Sequence, residues 1–108
     1  MGRESLGEFE HQVLLAILRL GEDSYSVAIV LQLEGCTGRS VAPAAVYIAL
    51  RRLEKKGLVV SRMVDPEESG EKHARRYFTL QPEALDRLKE SRAAFDRLWD
   101  GLDPVFGR

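Results

Sequence analysis

Pro43-Ala44-Ala45-Val46-Tyr47-Ile48-Ala49-Leu50-Arg51-Arg52-Leu53-Glu54-Lys55-Lys56-Gly57-Leu58-Val59 is the stretch on which the reading of this chain turns. Val46, Leu50 and Leu53 recur at i, i+4 and i+7, the spacing that lines up apolar side chains on one face of a helix. Pro43 suits the first helical turn, where its missing N–H leaves no bond unmade, and Gly57 stops the helix. With the three apolar residues turned inward, the outer face carries Ala44, Ala45, Tyr47, Ile48, Arg51, Arg52 and Lys55. That face is small near its start and basic further along.

Two helices precede this one. Ser5 and Glu8 form an S-x-x-E capping box ahead of Phe9, Val13, Ile17 and Leu20, and Gly21 closes the helix. Leu14, Leu15 and Leu18 widen its apolar face beyond half the circumference, so it needs two surfaces to pack against, a core and a second subunit. The next helix starts at Ser24 or Ser26, either of which suits an N-cap, and runs to Gly35 or Gly38. Downstream the period changes. Leu58 to Val64 is rich in β-branched residues, Arg75 to Leu80 alternates polar with apolar, and Asp65-Pro66-Glu67-Glu68-Ser69-Gly70 between them has turn chemistry, so the pair reads as a β-hairpin. Pro82 then opens a long helix that continues to about Leu102.

Helix, helix, helix, hairpin, long helix is the order of a winged helix-turn-helix fold, mainly α with a small α+β component. At 108 residues, without repeat or linker, the chain is one domain in two parts: residues 1–81 form the winged helix and 82–108 a dimerisation helix packed on it. Hydrophobic residues at 44% and charged residues at 31% are the balance of a folded domain, not of a disordered segment. The longest apolar run, Val13 to Leu18, is far shorter than the ~20 residues of a membrane span. The charged N-terminal residues Arg3, Glu4, Glu8 and Glu10 are unlike a secretory signal, so a cytoplasmic protein is expected.

A net charge of −1 argues at first against a nucleic-acid partner, but the average hides a gradient. Lys plus Arg against Asp plus Glu is 2 to 6 over residues 1–38, 9 to 5 over 39–76 and 5 to 6 over 77–108. The middle third is thus positive between acidic or near-neutral flanks, and phosphate responds to the local field over a Debye length of about 8–10 Å. In a winged helix the third helix enters the major groove. Ala44 and Ala45 would allow close approach, Tyr47 offers a hydroxyl, and Arg51, Arg52 and Lys55 can engage guanine or phosphate. Arg39, Ser40 and Ile48 join this candidate set. Lys72, His73, Arg75 and Arg76 read as a basic wing that grips the backbone, against the rival reading of charges guarding an edge strand. Glu67, Glu68 and Glu71 would be repelled by phosphate, so the hairpin tip is expected to be disordered or turned away.

In the last helix Leu85, Leu88, Arg92, Phe95, Trp99 and Leu102 follow 3-4-3-4-3 spacing, a coiled-coil seam that Leu98 widens. Either this stripe packs on its own core or it pairs two chains. Dimerisation is favoured, because the other elements already hold enough apolar residues to close a core. Leu6, Phe9 and Val13 of the first helix join the expected interface. A two-fold dimer would present two recognition helices to a pseudo-palindromic duplex site. Cys36 is the single cysteine, which excludes an internal disulfide, and it reads as a partly buried small hydrophobe rather than an oxidant sensor. His11 and His73 stand in different elements without ligand spacing, and no catalytic constellation or cofactor motif is present, so neither an enzyme nor a metal or cofactor site is expected.

Leu6-Gly7-Glu8-Phe9-Glu10, the run from Ala45 to Val59 and Arg76-Tyr77-Phe78-Thr79-Leu80 together resemble the PadR family of bacterial transcriptional regulators. The most specific piece is Val46-Tyr47-x-x-Leu50-x-Arg52-Leu53-Glu54-x-x-Gly57-Leu58, and the likeness covers about residues 5–102. By length the chain is similar to the short subgroup with one C-terminal helix. The resemblance implies a homodimeric winged-helix repressor, with the terminal helix exchanged against the partner's first helix and Tyr47 on the DNA-facing helix. It departs from the family at Ser26, Ala44 and Ala84, where members often carry glycine. Certain short members bind planar aromatic or cationic compounds at the dimer centre, walled by an aromatic residue of the long helix. Trp99 and Phe95 stand in a comparable place, against the plainer reading of ordinary dimer packing. The expectation is a DNA-binding repressor relieved by a small aromatic or cationic effector. The competing reading is a winged-helix adaptor whose basic helix meets an acidic protein.

Overall fold

Four apolar side chains of the first helix, Val13, Leu14, Ala16 and Ile17, have almost no exposed surface, and the rest of the molecule is arranged around them. The computed structural model describes residues 6–107. Helix α1 spans Glu8–Leu20, its N-cap Gly7 donating from its backbone N–H to Glu10 Oε1 at 3.2 Å. The reach-back carboxylate is therefore that of Glu10 and not of Glu8, which the S-x-x-E spacing favoured; Ser5 lies outside the described residues. Gly21 closes α1 at φ +60°, a conformation that strains any residue with a Cβ.

Ser24 caps the end of α1 rather than the start of the next helix. Its hydroxyl, fully buried, lies 3.0 Å from the Ile17 carbonyl, which also accepts from the Gly21 N–H, and 2.8 Å from the Gly21 carbonyl just past the helix end. Helix α2 then runs Ser26–Thr37 with Tyr25 at the N-cap, and Gly38 ends it in the left-handed conformation. Helix α3 spans Pro43–Lys55 with proline at its start, as the sequence predicts. Its exit is a Schellman motif: Leu58 N–H donates to Leu53 O and Gly57 N–H to Glu54 O, both at 3.0 Å, with Gly57 at φ +78°.

That motif takes Leu58 out of the strand expected to begin there. Strand β1 is Val59–Val64 and β2 is Arg75–Leu80, antiparallel in register from Val59 against Leu80 to Val64 against Arg75. The hairpin tip is neither irregular nor a plain turn. Pro66–Ser69 forms a single helical turn, α4, closed by a reciprocal box between Asp65 and Glu68 and ended by Gly70. On its other edge β2 is tied to the segment before α2, with a bridge between Tyr25 and Tyr77 and Phe78 N–H donating to Ser24 O at 2.9 Å. The wing is thus hydrogen-bonded to the helix-turn-helix body.

Helix α5 spans Pro82–Trp99 and is followed by a 3-10 turn at Asp103–Phe106, so the regular helix ends short of Leu102. Ala84, Arg87 and Leu88 are buried, and beyond Leu88 no described side chain of α5 is. The core joins Val13, Leu14 and Ile17 of α1 to Ile29 and Leu33 of α2, Val46, Leu50 and Leu53 of α3, Leu58, Phe78 and Leu88. Two residues expected at a subunit interface therefore serve inside the chain. Val13 has no exposed surface and Leu88 is 7% exposed, both in this core. A helical stripe identifies a face to be covered but not what covers it. Arg92 lies on the exposed part of α5, its Nε 3.7 Å from Asp96 Oδ2.

Candidate nucleic-acid interface

Burial of Val46, Ala49, Leu50 and Leu53 fixes which side of α3 faces outward. Tyr47 and Ile48 are each more than half exposed, and Ala44, Ala45, Arg51, Arg52 and Lys55 are exposed with them. The helix presents the face that its spacing predicts. Tyr47 and Arg51, one turn apart, form a unit: Arg51 Nη1 donates to Tyr47 Oη at 2.9 Å, and its guanidinium carbon lies 5.7 Å from the ring centroid. Pairing of this kind narrows the rotamers of both side chains before any ligand arrives.

A groove separates α3 from the sheet, lined by Tyr47, Leu50, Arg51, Arg52, Glu54, Lys55, Arg76 and Phe78. Alternation along β2 decides which wing arginine enters it. Arg76 shares the face of buried Phe78 and stands across from α3. Arg75 points the other way, its guanidinium carbon 4.0 Å above the Tyr25 ring and its Nη2 3.2 Å from Glu71 Oε1. A hydrogen bond with Tyr77 outweighs the opposing effect of desolvation and, with the negative charge of Glu71, holds that guanidinium above the ordinary arginine range. Arg75 thus braces the wing against the start of α2, on the strand face opposite Arg76. Lys72 and His73 are exposed on the connection between α4 and β2, outside the groove.

Two further candidates stand elsewhere. Arg39 and Ser40 line a hollow with Glu8, Phe9, Gln12, Thr37 and Val41 at the start of α1. Ala45, Ile48 and Arg52 line another, with Gly7 to Glu10 and Lys56. There Lys56 Nζ lies 2.6 Å from Glu10 Oε1, with both side chains largely covered. Burial alone would push the Glu10 carboxyl up. The bonds from Lys56 and the Gly7 N–H, with the positive charge of Lys56 and Arg52, outweigh it and hold the group below the usual carboxylate range. This pair ties α1 to the end of α3 and so orients the basic face.

Sequence reasoning passed over three residues beside the groove. Tyr25 and Ser26, at the start of α2, share a hollow with Tyr47, Ala74, Arg75 and Arg76, and Glu54 stands as the one carboxylate among the groove's lining side chains. The signal for Glu54 was present: it is the single acid in the otherwise cationic or apolar run from Arg51 to Lys56.

This geometry can be set beside known proteins. A family model described as the transcriptional regulator PadR-like family matches residues 14–90, most of the chain, from within α1 to the first half of α5. The chain belongs to the PadR-like family of transcriptional regulators. Among solved structures, a PadR family transcriptional regulator from Eggerthella lenta is similar, with 29% identity, a TM-score of 0.66 and coverage of 87% of this chain and 80% of that one. A PadR family transcription regulator from Clostridium difficile has 23% identity, a TM-score of 0.71 and coverage of 91% and 98%. A transcriptional regulator from Clostridium thermocellum has 21% identity, a TM-score of 0.68 and coverage of 89% and 88%; these last two likenesses speak to the fold. No curated protein matches the chain.

In this PadR-like regulator the residues expected at the dimer interface divide. Leu6 and Phe9 are partly buried against the core, whereas Leu85, Phe95, Leu98, Trp99 and Leu102 are exposed, Leu98 at 71%. Leu15 and Leu18 of α1 add exposed apolar surface. Cys36 is exposed rather than partly buried, its Sγ accepting from Gln32 Nε2 at 3.2 Å. Among the described residues no group of His, Cys, Asp and Glu is arranged to hold a metal, and no helix is long and apolar enough to cross a membrane.

Proposed function

We propose that this PadR-like protein is a homodimeric, sequence-specific DNA-binding repressor of the cytoplasm. Tyr47, Arg51, Arg52 and Lys55 of α3, with Ala44, Ala45 and Ile48 against base edges, read one half of a pseudo-palindromic duplex site. Arg76 holds the adjoining backbone, while Lys72, His73, Arg39 and Ser40 contribute phosphate contacts at the periphery. The single observation that carries this reading is the groove between α3 and the wing, where an exposed Tyr47–Arg51 pair and Arg76 stand on facing elements. Helix and wing are the two elements a winged helix uses for base and backbone contact.

The half of α5 that emerges from the core supports dimerisation. Phe95, Leu98, Trp99 and Leu102 would be covered by a second copy, together with Leu15, Leu18 and the partly buried Phe9 of α1 and Leu6 just before it. Phe95 and Trp99, one turn apart, would then wall a site for a flat aromatic or cationic effector whose binding releases the operator.

Duplex binding across a salt series tests the reading. A regulator of this kind selects one sequence from random duplexes, and log affinity for it falls steeply with log salt. Binding without sequence preference at any salt would instead indicate the adaptor whose basic helix meets an acidic protein.

A further inference from the structure

Arg76 is exposed yet not loose. Its Nη1 donates to Ser61 Oγ at 3.0 Å, and the same hydroxyl donates to Glu54 Oε2 at 2.7 Å. Ser61 pairs with Phe78 across the hairpin, so the hydroxyl sits on the sheet face that Arg76 shares, directly opposite α3. A hydroxyl can accept one bond while giving another, so the Ser61 Oγ links a wing guanidinium to a recognition-helix carboxylate.

Electrostatics alone makes Glu54 a poor residue for this place. It lines the groove among Arg51, Arg52, Lys55 and Arg76, where a phosphate backbone would repel it. We propose that Glu54 and Ser61 are positioning residues for DNA recognition: a Glu54–Ser61–Arg76 relay holds the wing arginine at a set height over the recognition-helix groove, so that helix and wing engage the duplex as one unit. An arginine already fixed loses less rotamer freedom on binding, and the negative end of the relay is spent on the hydroxyl rather than turned toward phosphate. The inference rests on the DNA-binding reading above.

The test uses the full chain on its selected duplex, with Ser61→Ala, Ser61→Thr, Glu54→Gln and Arg76→Ala, each verified as folded by its thermal melt. Ser61→Ala leaves every charge in place and is expected to weaken binding about threefold to tenfold, the range for one lost hydrogen bond. Ser61→Thr keeps the hydroxyl and should bind like the parent. Glu54→Gln should also weaken binding, although removing a negative charge from a phosphate-binding groove would by itself tighten it. Arg76→Ala should lower the salt slope by about one, and Ser61→Ala should add nothing further in that background. Tighter binding by Glu54→Gln, parental binding by Ser61→Ala, or additive effects of Ser61→Ala and Arg76→Ala would overturn the relay while leaving DNA binding intact. A parent chain that selects no duplex would overturn both.

Discussion

The α3–wing face and the outer half of α5 are both exposed, and they are exposed in opposite ways. On the first, polar side chains are already paired with one another: Arg51 with Tyr47, Arg76 with Ser61, Ser61 with Glu54, Arg75 with Glu71 and the Tyr25 ring. On the second, the apolar side chains of Phe95, Leu98 and Trp99 are more than half exposed along a helix whose last buried side chain is Leu88. A face of held charges gains by meeting a charged, hydrated polymer, because its side chains are ordered in advance. An apolar strip gains only by leaving water, roughly 25 cal/mol per Å² buried, and the proposed second copy would supply the surface that covers it.

The sharpest break of this contrast lies within α5 itself. Leu98→Glu should convert dimer to monomer in light scattering at micromolar concentration, since a carboxylate in an apolar seam has no partner. An unchanged mass would remove α5 from the interface. Leu88→Ala should instead lower stability by about 2–5 kcal/mol, the usual range for truncating a core leucine, and its melting temperature should shift equally at every protein concentration. A concentration-dependent shift would place Leu88 at the interface after all. On the polar face, Arg51→Ala should cost about 1–3 kcal/mol on the selected duplex and far less on others; equal loss everywhere would make Arg51 a phosphate contact.

Smaller effects come from pH. The folded-state pKa of Glu10 lies below its ordinary 4.5, and that of His11 is lowered by burial from 6.5. In each case the unfolded chain binds the proton more readily, so the stabilising contribution is present above the ordinary value and is lost as pH falls through the folded one. The melting temperature should decline in two stages, first below about pH 6.5 as His11 takes up a proton and again in the carboxylate range. Glu10→Gln should remove the second stage. Smallest is the effector reading: if Trp99, the single tryptophan, walls a site, planar aromatic cations should quench its fluorescence saturably. A signal unresponsive across such compounds would leave Trp99 as interface packing.

The order of elements was legible because each depends on local period and punctuation: Val46, Leu50 and Leu53 at helical spacing, Pro43 and Gly57 at the ends of α3, alternation in β2. What was not legible turned on choices that local pattern leaves open. Ser24 could cap either neighbouring helix, and its hydroxyl turned back to the Ile17 and Gly21 carbonyls at the end of α1. Asp65-Pro66-Glu67-Glu68 is at once turn chemistry and a capping box, and with Pro66 opening it the segment forms a helical turn. Val13 and Leu88 belong to stripes shared between core and seam, and only packing assigns each position. Arg75 and Arg76 are adjacent in sequence, yet the two-residue period of a strand sends them to opposite faces, one against Tyr25 and one into the groove beside α3. Glu54 and Ser61 escaped because their partnership spans α3 and β1, a separation no local rule inspects.

The central claim, two recognition helices presented together by paired tails, is tested most directly by hydroxyl-radical footprinting on the selected duplex. The account predicts two protected patches on one face of the DNA, centred about one helical turn, roughly 10 base pairs, apart. A single patch, retained at full strength by Leu98→Glu, would contradict it.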